Sequence, residues 1–249
     1  MTSRVDYDRM AASYDRGRAL PLEGLREWRA ALAAHLGATG GSPVLDLGAG
    51  TGLFAAAIAT WFDARVVAVE PSEGMRRRAR QARPHPRVLL VGGTAERLPL
   101  RDRSCGGAWL STVIHHFADL PGSARELRRV LRPDGPVLIR TVFPGRLDGV
   151  TLFRFFPGAA RVAETFPTVE ATVGAFEAAG FAFQTLQPVP QVTAPSLRAA
   201  VERVRLRADT TLQALDDAEF AAGLAAMERA AVETTPSPIV DRLDLLVVR

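Results

Sequence analysis

Val44-Leu45-Asp46-Leu47-Gly48-Ala49-Gly50-Thr51-Gly52 is the stretch that decides the architecture. Its first four residues, apolar except for one acid, read as a short buried strand. A turn with three glycines follows, and Leu53–Phe62 (LFAAAIATWF) reads as an apolar helix. Glycine lets the chain bend through the left-handed region and puts no Cβ between backbone and ligand. Free amides at the start of the next helix supply hydrogen-bond donors. A tight strand-to-helix connection with no ligand has the same outline, so the turn needs context.

The context is a regular alternation. Strands are predicted at Pro43–Leu47 (PVLDL), Arg65–Val69 (RVVAV), Arg87–Val91 (RVLLV), Ala108–Val113 and Val137–Val142. Helices are predicted at Leu53–Phe62, Ser72–Ala82 and Ser123–Leu131, with Ser72 as N-cap and Glu73 in the first turn. Strands alternating with short helices imply a parallel sheet covered on both faces. Beyond Phe143 the pattern loosens. A helix over Thr168–Ala179 closes at Gly180, and strands are expected at Phe181–Leu186 and Leu243–Val248 (LDLLVV). The intervening Pro195–Ala231 reads as helical and is too long for a hairpin turn, so it is expected to be an inserted cap over the active-site edge. Upstream, Leu22, Leu25, Trp28, Leu32 and Leu36 recur at helical spacing, and 37–43 is a breaker stretch.

With 249 residues, 47% of them hydrophobic, the chain suits one compact domain carrying a small lid. The 31 basic residues are all Arg, and Lys and Asn are absent. That bias points to a GC-rich coding sequence. A formal surplus of four positive charges is too small to argue for nucleic acid, and Arg76-Arg77-Arg78 reads as a solvated helix face. Cys105 is the single cysteine, which excludes an internal disulfide and a cysteine-based zinc site. The four histidines have no metal-ligand spacing, so no metal is expected. The opening MTSRVDYDRM has no apolar core of a secretory leader, and no apolar run is long enough to span a bilayer. A cytoplasmic protein without membrane partners is the expectation.

Glu70 closes the second predicted strand, 20 residues after Gly50. In doubly wound folds an acid there accepts hydrogen bonds from ribose hydroxyls, although a Glu at that place can also simply cap the next helix. Pro71 and Met75 come next and are candidates to flank an adenine; ordinary turn and core packing is the competing account. The turn is G-x-G-x-G, with Leu53 where dinucleotide folds carry a third glycine. The spacing therefore favours a nucleoside cofactor lacking a pyrophosphate over a dinucleotide, and argues against an oxidoreductase.

Together these segments resemble the class I S-adenosylmethionine-dependent methyltransferases, in particular the small-molecule group resembling the ubiquinone and menaquinone methyltransferases. VLDLGAGTG is similar to that family's first motif and VVAVEPSEGM to its second-strand motif. GGTAERLPL stands at its adenine loop, WLSTVIHHF at its fourth strand, and ELRRVLRPDGPVLI at the helix and fifth strand that follow. The resemblance covers residues 5–143 and weakly continues to Gly180. It implies an α/β, Rossmann-like, doubly wound sheet of seven strands, mostly parallel with an antiparallel last strand. It also implies a division into a helical N-terminal cap (1–36), a core (37–193 and 237–249) and a helical lid insert (194–236). The cofactor implied is S-adenosyl-L-methionine. Gly48, Ala49 and Gly50 would border its methionine part, and Asp46 would hold the loop and orient the amino group. Glu70 would bind ribose, Pro71 and Met75 would pack on adenine, and Thr94, Ala95 and Glu96 would line the adenine edge. Ser111 would touch the methionine moiety, and Tyr14 and Arg18 would close over its carboxylate. The chain departs from the family pattern at Thr94, Gly106 and Asp134.

Methyl transfer asks the protein to align groups and exclude water, with a base where the acceptor holds its proton tightly. His115 and His116 follow the fourth strand at the edge where such sheets bind ligands. Either is a candidate base, with His116 favoured; on a continuing strand the two would point in opposite directions. Asp119 is a candidate partner for a His. Arg140 and Phe153-Arg154-Phe155-Phe156 either line the acceptor pocket or pack in the core. The activity expected is S-adenosylmethionine-dependent methylation of a small-molecule acceptor in secondary metabolism, by a monomer or homodimer with no nucleic-acid partner. The alternative is a protein that binds the cofactor without transferring the methyl group, as a regulator or partner subunit.

Overall fold

In a computed structural model of the chain, the residues described are 17, 20–36 and 41–249. They form two compact units. One comprises Arg29–Thr141, Pro167–Gln187 and Asp244–Arg249; the other takes the described part of residues 1–28 with Val142–Phe166 and Pro188–Leu243.

A single seven-stranded sheet has the order β3-β2-β1-β4-β5-β7-β6. Its strands are β1 (Val44–Leu47), β2 (Val66–Val69), β3 (Val88–Val91), β4 (Gly107–Ser111), β5 (Val137–Thr141), β6 (Phe183–Ala194) and β7 (Ile239–Val248). The first five pair in parallel, and β7 runs antiparallel to β5. Strand order reverses between β1 and β4, the crevice where such sheets hold ligands. The register aligns Leu47 with Val69 on one side and with Leu110 on the other. Gly48, Glu70 and Ser111 therefore leave the sheet at one edge.

Helices α1 (Leu22–Leu36), α2 (Leu53–Phe62), α3 (Glu73–Ala82), α4 (Leu120–Val130) and α7 (Val169–Ala178) accompany these strands. β1 is buried along its whole length, as strands covered on both faces are. Trp109 on β4 is fully buried, its ring centroid 5.0 Å from that of Phe54 on α2; such a pair adds about 0.5–1.5 kcal/mol beyond its buried area. Leu25, Trp28, Leu32 and Leu36 are buried, as the spacing in α1 predicts. Ser72 Oγ accepts the Met75 amide at 3.1 Å, a cap worth about 1 kcal/mol.

The boundaries move for identifiable reasons. α4 starts at Leu120 rather than Ser123, because Asp119 caps it by accepting the Gly122 amide at 2.9 Å and Pro121 fits a first turn that needs no donor. β6 continues past Pro188 and Pro190 to Ala194; it is the edge strand, where a missing amide costs no ladder bond. β4 stops at Ser111, because Thr112 turns to φ 52°.

The second unit carries α5 (Thr151–Phe155), α6 (Pro157–Ala163), α8 (Leu197–Val204), α9 (Thr210–Gln213) and α10 (Asp217–Glu233). The single helical stretch expected over Pro195–Ala231 is thus three helices. Asp209 accepts the Thr211 amide at 2.9 Å and Asp216 the Glu219 amide at 2.8 Å, and each cap starts a helix anew. Phe156, Ala159, Val201, Leu212, Leu215 and Met227 form their core, with Phe153 and Phe155 packed against it. The aromatic run is core packing. Phe156 lies so close to Gly223 that a Cβ there would sit 2.4 Å from its ring. No described helix is long and apolar enough to cross a membrane.

Candidate cofactor and active site

The glycine turn is held in the left-handed region at all three glycines, with φ of 71° at Gly48, 56° at Gly50 and 79° at Gly52. The amides of Gly48 and Ala49 donate to the Val69 carbonyl at 2.8 and 3.2 Å, which pins the turn to the end of β2. A Cβ on Gly48 would meet Val113 Cγ2 at 2.4 Å, whereas one on Gly50 would have nothing within 4 Å among the described residues. Gly48 is a packing requirement. Gly50 faces no described side chain.

Glu70 is buried, and its carboxylate spans two segments. Oε2 accepts the Gly50 amide and Oε1 the Ser72 amide, each at 2.9 Å. A carboxylate oxygen has two lone pairs, so each can accept more than one hydrogen bond. Asp46, also buried, is pushed up to about 7, first by burial and then by the charge of Glu70, against an opposing hydrogen bond from the Ala55 amide. Its Oδ2 has no hydrogen-bond partner among the described residues. An orphaned buried carboxylate oxygen is costly unless a donor meets it.

Several supporting groups gave no sequence signal beyond spacing. Arg76 donates to the carbonyls of Glu70 and Pro71 at 2.5 and 2.9 Å and pairs with Glu73. The Arg76–Arg78 run is therefore not simply a solvated face, since its first member braces the acid loop. The Glu73–Arg76 spacing of three was the available clue. Arg83 donates to the Thr51 carbonyl at 3.0 Å, bracing the turn from the far end of α3.

Pro71 is exposed beside the clamp, and Met75 is 1% exposed beneath it, inside the core. Thr94 is exposed and bridges to Arg97 across a tight turn; Ala95 is buried. Glu96 Oε1 accepts the Ala118 amide at 3.0 Å. That bond ties the loop after β3 to the segment after β4, where the histidines lie. Thr94 and Glu96 thus belong to the same edge as Glu70.

Ser111 ends β4, and Arg140 Nη1 donates to its hydroxyl at 3.1 Å. Arg140 is buried, its guanidinium 5.5 Å from the Phe54 ring centroid. It packs inside the sheet unit. His115 and His116 occupy a 3-10 turn over Ile114–His116, with ring centroids 4.0 Å apart and planes tilted by 55°. Opposed directions held only for a continuing strand; the turn sets the rings side by side. His115 is half-buried and His116 exposed. Asp119 acts as the α4 cap. Tyr14 and Arg18 lie outside the described residues. Among those described, no group of His, Cys, Asp and Glu could hold a metal ion.

S-adenosylmethionine joins an adenosine to a cationic sulfonium and an amino-acid end. Two observations fit it among the described residues: room for a ligand over Gly50, and a buried acid, Asp46, with one oxygen lacking a donor. The Methyltransferase domain family matches residues 45–139. The chain is 31% identical to the demethylmenaquinone methyltransferase of Streptomyces griseus over 173 residues, 65% of this chain and 72% of that one. It is 29% identical to the ubiquinone/menaquinone biosynthesis C-methyltransferase UbiE of Syntrophotalea carbinolica over 205 residues, 72% of this chain and 85% of the relative. Of other curated relatives it spans about half the length, such as 53% and 52%, and of one bifunctional protein 20%. A candidate methyltransferase from an antibiotic biosynthesis pathway of Anabaena variabilis superposes with a TM-score of 0.72 at 26% identity, covering 93% of this chain and 99% of that one. With the turn, the acid clamp and these matches in agreement, the chain belongs to the class I S-adenosylmethionine-dependent methyltransferases and resembles their quinone-methylating group.

Proposed function

We propose that the protein methylates a small organic acceptor carrying a weakly acidic proton, of the quinol, phenol or enol kind. The observation that carries this reading is the convergence of three segments on one sheet edge: the open face of Gly50, the Glu70 clamp and the His115–His116 turn. When bound, the cofactor supplies an electrophilic methyl group on its sulfonium. Asp46, Gly48, Ala49, Gly50 and Ser111 hold its amino-acid end, and Glu70 holds the ribose. Pro71 and Met75, with Thr94, Ala95 and Glu96, frame the adenine. His116, the more exposed of the two rings, takes the acceptor's proton, and His115 positions it. The names of the two quinone methyltransferases and of the antibiotic-pathway neighbour support an acceptor of this kind in secondary metabolism.

Calorimetry with S-adenosylmethionine and with NADH, followed by incubation of labelled cofactor with a metabolite extract, tests it. Binding of the first with label transfer to a small molecule is the expected result. His116→Ala should then lower kcat by about 10²-fold or more while leaving cofactor affinity intact. Tight cofactor binding with no labelled product from any extract would instead mark a binding protein.

A further inference from the structure

The loop entering β4, the last turns of α4 and the link into β5 line an open cavity, about 330 Å³ in volume. These segments lead into the starts of strands, whereas the cofactor loops leave strand ends, so the cavity lies at the opposite edge of the sheet. Its walls carry Arg103, Arg125, Arg128 and Arg129 against one acid, Asp102.

The four guanidiniums are not equivalent. Arg129 is saturated: it donates to Asp102 at 2.7 Å, to Glu126 through two nitrogens at 2.8 Å, and to the carbonyls of Leu98 and Leu100 at 3.1 and 2.8 Å. Asp102 is thereby committed. Arg125 reaches only Asp119, at 3.8 Å and with both side chains mostly exposed, an interaction of little strength. Arg103 has no side-chain acceptor among the described residues, though its amide donates to the Arg129 carbonyl at 2.9 Å. Arg128 lies 5.3 Å from the Phe181 ring centroid, and its buried Nη1 has no hydrogen-bond acceptor among the described residues.

A helix end attracts cations through its free carbonyls, but that does not account for this cluster. The carbonyls of Leu127, Arg129 and Val130 are already taken by the amides of Leu131, Arg103 and Cys105. Two guanidiniums, those of Arg103 and Arg128, therefore face one cavity without a side-chain acceptor among the described residues, one through a buried nitrogen, and the weakly paired Arg125 stands beside them. Guanidinium groups favour planar two-point contact with phosphate oxygens.

We propose that this cavity binds a phosphate-type dianion, either a free polyphosphate or the phosphate of a small metabolite, at a site separate from the cofactor. Its test is calorimetry at about 0.15 M salt with inorganic pyrophosphate and with glycerol 3-phosphate, which distinguish the two sources. Sodium chloride at matched ionic strength is the control. Saturable binding of either compound is expected, with Arg128→Met weakening it about tenfold or more. Arg125→Gln alters an exposed side chain, leaves folding unaffected and should weaken it about threefold. S-adenosylmethionine affinity should stay the same in both variants. No saturable binding, a response equalled by chloride, or both variants binding like the parent protein would each overturn the proposal.

Discussion

The Gly50 amide donates to Glu70 Oε2 at 2.9 Å, across 20 residues of chain. With Ser72 on the other oxygen, one carboxylate ties the glycine turn to the start of α3. The acid thus has a structural duty, to which the proposed function adds the ribose. Glu70→Gln keeps the volume but turns an NH₂ toward one of the two amides. The expected outcome is a cofactor Kd raised about tenfold, or 1.4 kcal/mol, by calorimetry. Glu70→Ala leaves both amides unmet and should also cost about 1–3 kcal/mol in chemical denaturation.

Gly48 and Gly50 separate packing from binding. Gly48→Ala combines a left-handed φ with a contact of 2.4 Å to Val113, so unfolding should be easier by about 3 kcal/mol. Gly50→Ala meets nothing among the described residues and should cost only about 1–2 kcal/mol for its φ of 56°, yet it should abolish cofactor binding. Equal losses of affinity per unit of lost stability in the two variants would contradict this division.

Asp46 gives the site a pH dependence. Its folded value, about 7, lies above the unfolded one of 3.8. Between those values the native state binds a proton that the unfolded chain has released. Its contribution to cofactor-free stability therefore falls as pH rises from about 4 to about 7, and is level outside that window. A bound cation favours the ionised acid, so cofactor affinity should rise by roughly tenfold from pH 6 to pH 8. Titrations at the two pH values check this, and Asp46→Asn should flatten the profile.

Arg76 supports the clamp from outside. Arg76→Met keeps the aliphatic stem but removes the donors to the Glu70 and Pro71 carbonyls. Cofactor affinity should drop about threefold to tenfold, with helix content by circular dichroism unchanged.

The glycine turn, Glu70 and the first five strands were legible in the sequence because each rests on local pattern: apolar tetrads, turn glycines and a fixed spacing to an acid. What was not legible depends on position in the sheet or on distant partners. Nothing in the text of β6 says that it lies at an edge and can carry Pro188 and Pro190. Asp209 and Asp216 sit inside an apolar periodicity that hides their capping role. Arg76 looked like one of three solvated arginines, because its carbonyl partners come from the loop that α3 follows. The histidine pair was placed at the right edge, but the side-by-side rings depend on where β4 ends.

That ending is set by Thr112, whose φ of 52° is uncommon for a branched side chain. Its hydroxyl donates to the Ser111 carbonyl at 2.8 Å and its amide to the Arg140 carbonyl at 2.6 Å, so the neighbouring strand β5 helps hold the bend. Such a conformation stores about 1–3 kcal/mol, directly after Ser111 at the end of β4 and two residues before the turn bearing the two imidazoles. The fold here accepts a less comfortable backbone in return for a fixed angle between the end of β4 and the histidine turn. A relaxing substitution such as Thr112→Gly would make a sturdier protein and a poorer catalyst.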